Sequence, residues 1–372
     1  MPDRSPSRPS EATRRGSTPV IFLNVNAVRS GLPRGAHYSR PYLNLCKLLK
    51  CGVIDRTRTL DCGVEYQVLD PIPTCREASP TFAHLCDAEA DALVDEALSS
   101  GRRLQVLWSG GIDSTTALVA ILAAIQRRDA NDILDVLLSP HSISEYPRFY
   151  RTRIHDRIPT IFVSTPIGRY LNSDNFTVTG EHGDQLFGSY LLKDLVDDGR
   201  AFLSYQEALP AFFAARLGSS VPADRLMEYI EPQVRQAPFE VKDAYDFLWW
   251  LNYSLKWQAV SLRMSVFRGS DVRKHFQNTR HFFRTVPFQQ WSLTNPEGRR
   301  TADWRSYKQT AKDYIFQHTN DVQYLRNKTK HASLKNVFID RDEYPGGKVA
   351  AHMDQDFVVN LVPYERARNV RG

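Results

Sequence analysis

The sequence predicts an α/β protein, with a doubly wound, mainly parallel sheet followed by a helical C-terminal half. Three observations predict it. Short apolar runs at residues 104–108 (LQVLW), 133–138 (ILDVLL), 160–164 (TIFVS) and 176–179 (FTVT) alternate with helical segments. That is the pattern of buried parallel strands joined by crossovers and covered on both faces. Residues 114–126, after the first run, read as a helix almost free of charge. Beyond about Leu191 the strand pattern stops, and residues 195–267 and 304–317 read as helices, with a notably aromatic stretch at 249–257.

Taken in order, residues 1–18 are rich in Pro, Ser and Arg and read as a disordered tail. Residues 19–28 (PVIFLNVNAV) are apolar and β-branched and read as a strand. Residues 42–49 form a short amphipathic helix, and the stretch to Pro80 is punctuated by Gly, Pro and Cys. Residues 87–98 have helical spacing, with Ala88, Ala90, Leu93, Val94 and Leu98 apolar, and 99–101 (SSG) end that helix. The chain thus divides into a tail (1–18), an N-terminal segment of unassigned role (19–86) and an α/β core (87–195). A helical, substrate-shaping part (196–335) and a C-terminal extension (336–372) complete it.

Composition narrows the function classes. The 372 residues are 42% hydrophobic and 24% charged, an ordinary globular balance with enough chain for a large core. No run approaches the roughly 20 apolar residues that cross a bilayer, and the N-terminus has no apolar stretch resembling a secretory signal. Net charge is +6, which suits polyanionic ligands: nucleotides first, nucleic acid second. The clearest basic cluster is residues 326–335. Cys46, Cys51, Cys62, Cys75 and Cys86 are odd in number, lack a close C-x-x-C pair and all precede the core strands. Reduced thiols in a cytoplasmic protein fit them better than a disulfide framework or a zinc site.

The chemistry is concentrated in two glycine-rich turns. The first, Ser109-Gly110-Gly111-Ile112-Asp113-Ser114, joins a strand directly to a helix. Gly110 and Gly111 let the backbone turn tightly and approach an anion. The free N–H groups of the helix start and its dipole make an anion site, to which Ser109 and Ser114 add hydroxyls. Asp113 would repel a phosphate directly, but it suits a Mg²⁺ that bridges to one. The spacing is not that of a Walker A loop, and no lysine opens the helix. The second turn, residues 179–190 (TGEHGDQLFGSY), again ends a strand and carries Gly180, Glu181 and Asp184. If its strand neighbours the first, Asp113 and Asp184 face one crevice and can share the metal, leaving Glu181 to orient or deprotonate a nucleophile.

The first turn resembles the SGG-x-D-S signature of the N-type ATP pyrophosphatases, which cleave ATP between the α and β phosphates. The second resembles the S-G-E-G-x-D-E-L-F-G-G-Y motif of asparagine synthetase and β-lactam synthetase. Residues 284–288 (RTVPF) and 325–328 (LRNK) are similar to two later motifs in the same order. The resemblance implies an adenine nucleotide alpha-hydrolase-like fold and an AMP-forming ligase that uses ATP and Mg²⁺ to adenylate a carboxylate. It implies ATP contacts at Ser109, Gly110, Gly111, Asp113, Ser114 and Gly180, with adenine against the edge of the second strand near Val136–Leu138. It further implies metal ligation by Asp113 and Asp184, catalytic work by Glu181, and charge neutralisation by Lys328, with Lys330 as substitute.

Departures from the family limit the expectation. Residue 2 is proline, no cysteine lies near the N-terminus, and the stretch before the loop is short, so no glutaminase is expected in this chain. The amine would come as free ammonia, from a separate amidotransferase or as a substrate amine. Gln185 stands where the family has glutamate, and Gln289-Gln290 where it has Leu-Asp, which leaves the small carboxylate substrate undefined. Two other classes stay open: an RNA- or nucleobase-modifying pyrophosphatase, in which nucleic acid is the partner, and a nucleotide-binding scaffold without turnover.

Overall fold

The structure is a computed structural model, and it describes residues 18–75, 79–164, 167–266, 272–329, 348–352 and 359–362. The predicted tail and most of the C-terminal extension lie outside these residues. Strand β1 (Val20–Leu23) is buried along its length. The single strand expected over 19–28 is cut short by Asn24, whose side-chain carbonyl accepts from Ala27 N–H at 2.8 Å and caps helix α1 (Val25–Arg29). Helix α2 (Arg40–Leu49) starts at a Ser39 cap and ends at Lys50 in the left-handed conformation. Helix α3 (Phe82–Ser100) runs from a Thr81 cap to Gly101, whose φ of 64° supplies the usual glycine stop.

The main sheet has five parallel strands: β2 (Leu104–Leu107), β3 (Leu134–Leu138), β4 (Thr160–Phe162), β5 (Phe176–Thr179) and β6 (Thr279–His281). Their order is β4-β3-β2-β5-β6. All four residues of β2 and of β5 are buried, so both faces of the sheet centre are covered. Leu104, Val106, Val136 and Val178 face the main core, while Leu107 and Leu137 meet Val163, Ile167, Leu171 and Met264 on the other side. Strands 3 and 4 lie to one side of β2, and strands 5 and 6 to the other. The strand order therefore reverses between β2 and β5, the place where open α/β sheets form a crevice at their carboxyl ends.

Two expectations are corrected here. Strands do not stop at Leu191, because β6 comes from the part assigned to helices. It is only three residues long (Thr-Arg-His), too short and too polar to show a period, yet Thr279 and His281 are buried in the sheet. In addition, strands β7 (Lys348–His352) and β8 (Val359–Val362) form an antiparallel sheet with β1 in the order β1-β7-β8. Part of the expected C-terminal extension thus folds back on the N-terminal segment, and Asn24 Oδ1 also accepts from Val349 N–H at 3.1 Å.

The N-terminal segment is built into the same core. Arg56 is 4% exposed and lies over the rings of Tyr253 and Trp257. It donates to the carbonyls of Asp70, Pro71 and Tyr253 and to Gln289 Oε1. Among the described residues, no helix is long and apolar enough to cross a membrane.

Candidate active site

Strand β2 runs through Trp108 into the first turn. Ser109 N–H donates to Ser114 Oγ at 3.0 Å, and the two hydroxyls lie 2.9 Å apart. Gly110 has φ +75°, and a Cβ there would meet Ser142 O at 2.5 Å, so glycine is required twice over. Gly111 caps helix α4 (Ile112–Arg128) without supplying a side-chain acceptor, which leaves the helix start open to an outside anion. Helices α5 (Pro140–Glu145) and α6 (Pro147–Phe149) follow β3 and pass behind this turn.

The second turn comes off β5 directly beside the first, Leu107 standing opposite Thr179 in the register. A Cβ on Gly180 would lie 2.6 Å from Ser114 N, and one on Gly183 would lie 2.3 Å from Asp113 Oδ1. The turns touch. Helix α7 (Gly183–Phe187) then begins with Asp184 in its first turn.

Between the turns sits a residue that the sequence did not flag. Lys308 Nζ is 2.6 and 2.5 Å from the two oxygens of Asp113 and 2.7 Å from Asp184 Oδ1. Burial alone would lower its pKa, but the two carboxylates more than offset this and hold it above the ordinary lysine value. Lys308 reaches them because it breaks the helix expected over 304–317. A 3₁₀ turn (Trp304–Ser306) comes first, Lys308 is left-handed at φ 57°, and the helix Gln309–Thr319 starts after it. Tyr307 supports it, stacking on Trp304 at 4.2 Å and donating to Gly188 O. Its spacing marks nothing; a lysine among large aromatic residues was the only sign.

Glu181, 14% exposed in its side chain, is ion-paired with Arg263. Beneath it runs a directed string of hydrogen bonds. Glu181 N–H donates to Thr179 Oγ1 (3.2 Å), which lies 2.7 Å from His281 Nδ1, while His281 Nε2 meets Ser261 O at 2.9 Å. A carbonyl can only accept, so Nε2 carries the proton and Nδ1 accepts from Thr179. Ser261 Oγ in turn meets His182 Nε2 at 3.1 Å and Asp70 Oδ2 at 3.2 Å, and Asp70 binds Arg284 through both oxygens.

Burial, reinforced by the charges of Arg284 and Arg263 against the opposing Ser261 carbonyl, pushes His281 down from 6.5 to about 4. A buried base with a depressed pKa binds fewer protons when folded than when unfolded. Its contribution to stability is therefore complete above about 6.5 and is lost as pH falls towards about 4. Denaturant titrations should show a destabilisation across that window to which His281 contributes about 3 kcal/mol and His182, also held well below 6.5 by burial, adds. His281→Gln should reduce the slope without abolishing it; an unchanged slope would assign the loss to His182 or another group.

Lys328 does not touch Asp113 or Asp184. Its ammonium pairs with Glu145, whose Cβ stands 2.7 Å from where a Gly110 side chain would begin. It thus flanks the first turn from behind. Burial lowers its pKa, with the Glu145 pair opposing. Tyr146 stacks on Tyr324 at 4.0 Å and fixes the helix Val322–Asn327 that ends at Lys328. Lys330 lies outside the described residues, as does most of the basic cluster 326–335.

The adenine placement at Leu138 needs correction. Strand β3 is not an edge, since β2 and β4 pair with its two sides. Leu138 is fully buried, and its carbonyl accepts from Val163 N–H at 2.8 Å. Neither its side chain nor its carbonyl is open to a base; only the chain beyond the strand end remains.

The departures from the family motifs also have a place. Gln185 is buried against Asn252. Gln289 binds Arg56 and the Arg284 carbonyl, and Gln290 donates to Thr74 O at 3.0 Å. Both glutamines therefore hold the N-terminal segment, the part of the chain whose role the sequence left unassigned. No protein-family model matches the chain, and a search of curated proteins returns no match.

Proposed function

We propose that the chain is an ATP-dependent, AMP- and pyrophosphate-forming amide ligase that adenylates a carboxylate and passes it to ammonia or an amine. One observation carries this reading. Asp113 and Asp184, from glycine-lined turns on neighbouring parallel strands, both close on the Lys308 ammonium. That sheet, with its open helix start, favours an adenine nucleotide alpha-hydrolase-like fold. The donor set also fits magnesium. Mg²⁺ characteristically takes one or two carboxylates plus phosphate oxygens, and Asp113 and Asp184 supply two carboxylates. Asp113 and Asp184 would hold it, and when bound it supplies charge neutralisation for the departing pyrophosphate.

The chain's own groups divide the remaining work. The turn at Ser109, Gly110, Gly111 and Ser114 grips the β- and γ-phosphates through N–H and hydroxyl donors. A substrate carboxylate oxygen attacks the α-phosphorus, the bond to the β-phosphate oxygen breaks, and pyrophosphate leaves. The amine nitrogen then attacks the acyl carbon, the acyl–oxygen bond to AMP breaks, and Glu181 takes the amine proton. Arg263 keeps Glu181 fixed for this step. Lys308 and Lys328 oppose the negative charge that builds on the phosphates. Free ammonia or a separate amidotransferase would supply the nitrogen. The free thiols Cys46, Cys51, Cys62, Cys75 and Cys86 suit a reducing cytoplasm.

The test is a panel of small carboxylates with ATP, Mg²⁺ and ammonia, read for AMP and pyrophosphate and followed by mass spectrometry of the product. Release of ADP and phosphate instead would overturn the reading. Lys328→Ala is expected to lower kcat by about a hundred-fold with little change in nucleotide affinity. Loss of affinity at full kcat would make Lys328 a binding residue only.

A further inference from the structure

Glu181 stands between two residues whose side chains lead to one serine. On its strand side, Thr179 Oγ1 donates to His281 Nδ1 at 2.7 Å, and His281 Nε2 donates to the carbonyl of Ser261 at 2.9 Å. On its helix side, His182 Nε2 lies 3.1 Å from the hydroxyl of the same Ser261, in the helix Trp257–Leu262. That hydroxyl has one proton to give. Asp70, which Arg284 holds through both oxygens, is 3.2 Å away, and the carbonyl of Trp257 is 3.3 Å away. The charged carboxylate is the stronger acceptor and cannot donate. The proton therefore goes to Asp70, and Ser261 Oγ accepts from His182 Nε2–H.

His182 needs such a tether. Its φ is 71°, in the left-handed region that glycine adopts freely and a side chain resists. Its ring is 1% exposed, 4.2 Å from the Trp257 ring and edge-on to His281 at 5.3 Å. Nδ1 is buried without a hydrogen-bond partner among the described residues, so Ser261 is the ring's one polar attachment there. The backbone at this residue shapes the site. His182 O accepts from Gln185 and Leu186 N–H at 2.9 and 3.0 Å and so starts α7, which carries Asp184. The rest of that helix is held separately, Asn252 donating to Asp184 O and Trp249 to Leu186 O.

The far end of the tether lies in the N-terminal segment. Asp70 belongs to it, and so do the groups bound by Gln258, on the same helix as Ser261. Gln258 donates to the carbonyls of Ile21 and Gln67, both at 2.8 Å, and accepts from Leu69 N–H at 2.8 Å. Arg56 lies 4.6 Å above the Trp257 ring on which His182 packs. We propose that the N-terminal segment braces the second turn, with Asp70, Ser261 and His182 as positioning residues that fix Glu181 and the start of α7. The consequence for turnover rests on the ligase reading; the brace itself does not. It gives residues 19–86 a task that their own sequence does not declare.

Amide hydrogen exchange of the full chain, read peptide by peptide by mass spectrometry, tests the brace. In Ser261→Ala, exchange over residues 179–190 should rise at least about ten-fold while α4 stays within about two-fold of wild type. His182→Asn tolerates the left-handed backbone but is too short to reach Ser261, so it should behave like Ser261→Ala. Asp70→Asn keeps an acceptor for the serine but loses the charge that directs its proton, and should give a smaller rise over the same residues. Ser265→Ala removes another buried hydroxyl nearby, one without a hydrogen-bond partner among the described residues, and should leave exchange unchanged.

No rise over residues 179–190 in Ser261→Ala, or an equal rise in α4, would overturn the proposal. Pyrophosphate release should fall at least about ten-fold in kcat in the same variant, because a displaced Glu181 or Asp184 is felt in the chemical step. Local loosening at full kcat would therefore also overturn it. Local loosening in the variants of a chain that never releases pyrophosphate would sink the ligase reading and leave the brace standing. Pyrophosphate release by the wild type, with unchanged exchange in Ser261→Ala, would do the reverse.

Discussion

Asp113→Asn and Asp184→Asn are each expected to lower pyrophosphate release by about a thousand-fold while leaving the fold intact. Both carboxylates point at one place, 2.5–2.7 Å from the same ammonium, although they stand on different turns. Asparagine keeps the shape and still offers Lys308 an acceptor oxygen, so the packing of Gly183 against residue 113 is retained. What it removes is the negative charge that holds a divalent cation. The loss should therefore be partial at saturating metal and steeper when metal is limiting. Circular dichroism and thermal unfolding would show whether the fold survives. Turnover near wild type in either variant would remove that residue from the metal site, and with it the central argument for pyrophosphate chemistry.

The two turns were legible in the sequence because each is a local device. A strand ending in Gly110-Gly111 or Gly180 and opening into a helix declares its geometry within half a dozen residues. The strands β2, β3, β4 and β5 were legible for the same reason, each a short apolar run between breaks. What the sequence hid is whatever depends on pairing across long stretches of chain. Lys308 meets Asp113 from 195 positions away and Asp184 from 124, and no period links them. Strand β6 is three polar-looking residues whose burial follows from the neighbouring β5, not from their own character. Arg56 and Gln289, 233 positions apart, join the N-terminal segment to the helix Val286–Thr294 through a buried contact that neither residue type advertises. The Leu138 error has a related origin. Periodicity can identify a strand, but only its pairing decides whether that strand has an edge.

Lys308→Met tests the site from the other side and should change stability as well as turnover. In the folded chain one ammonium, 1% exposed in its side chain, serves two carboxylates. Methionine keeps most of the length and apolar volume but removes the ammonium that Asp113 and Asp184 share. The ammonium is buried but the carboxylates are 23% and 35% exposed, so losing it costs about 1–3 kcal/mol, less than for a fully buried pair. Two consequences separate this from ordinary loss of packing. Crowded carboxylates have raised pKa values, and a raised acid binds more protons folded than unfolded, so the variant should regain stability as pH falls into the carboxylate range. It should also regain stability on adding Mg²⁺, because an ion that binds only the folded state stabilises by mass action. The wild-type protein, whose own ammonium competes for the same carboxylates, should gain less from the same addition. If Lys308→Met is destabilised equally at all metal concentrations and at all pH values, Lys308 is a packing residue and the two aspartates do not form a cation site. If metal restores the stability of the variant but not its pyrophosphate release, the ammonium has a second duty on the phosphates that the ion cannot perform.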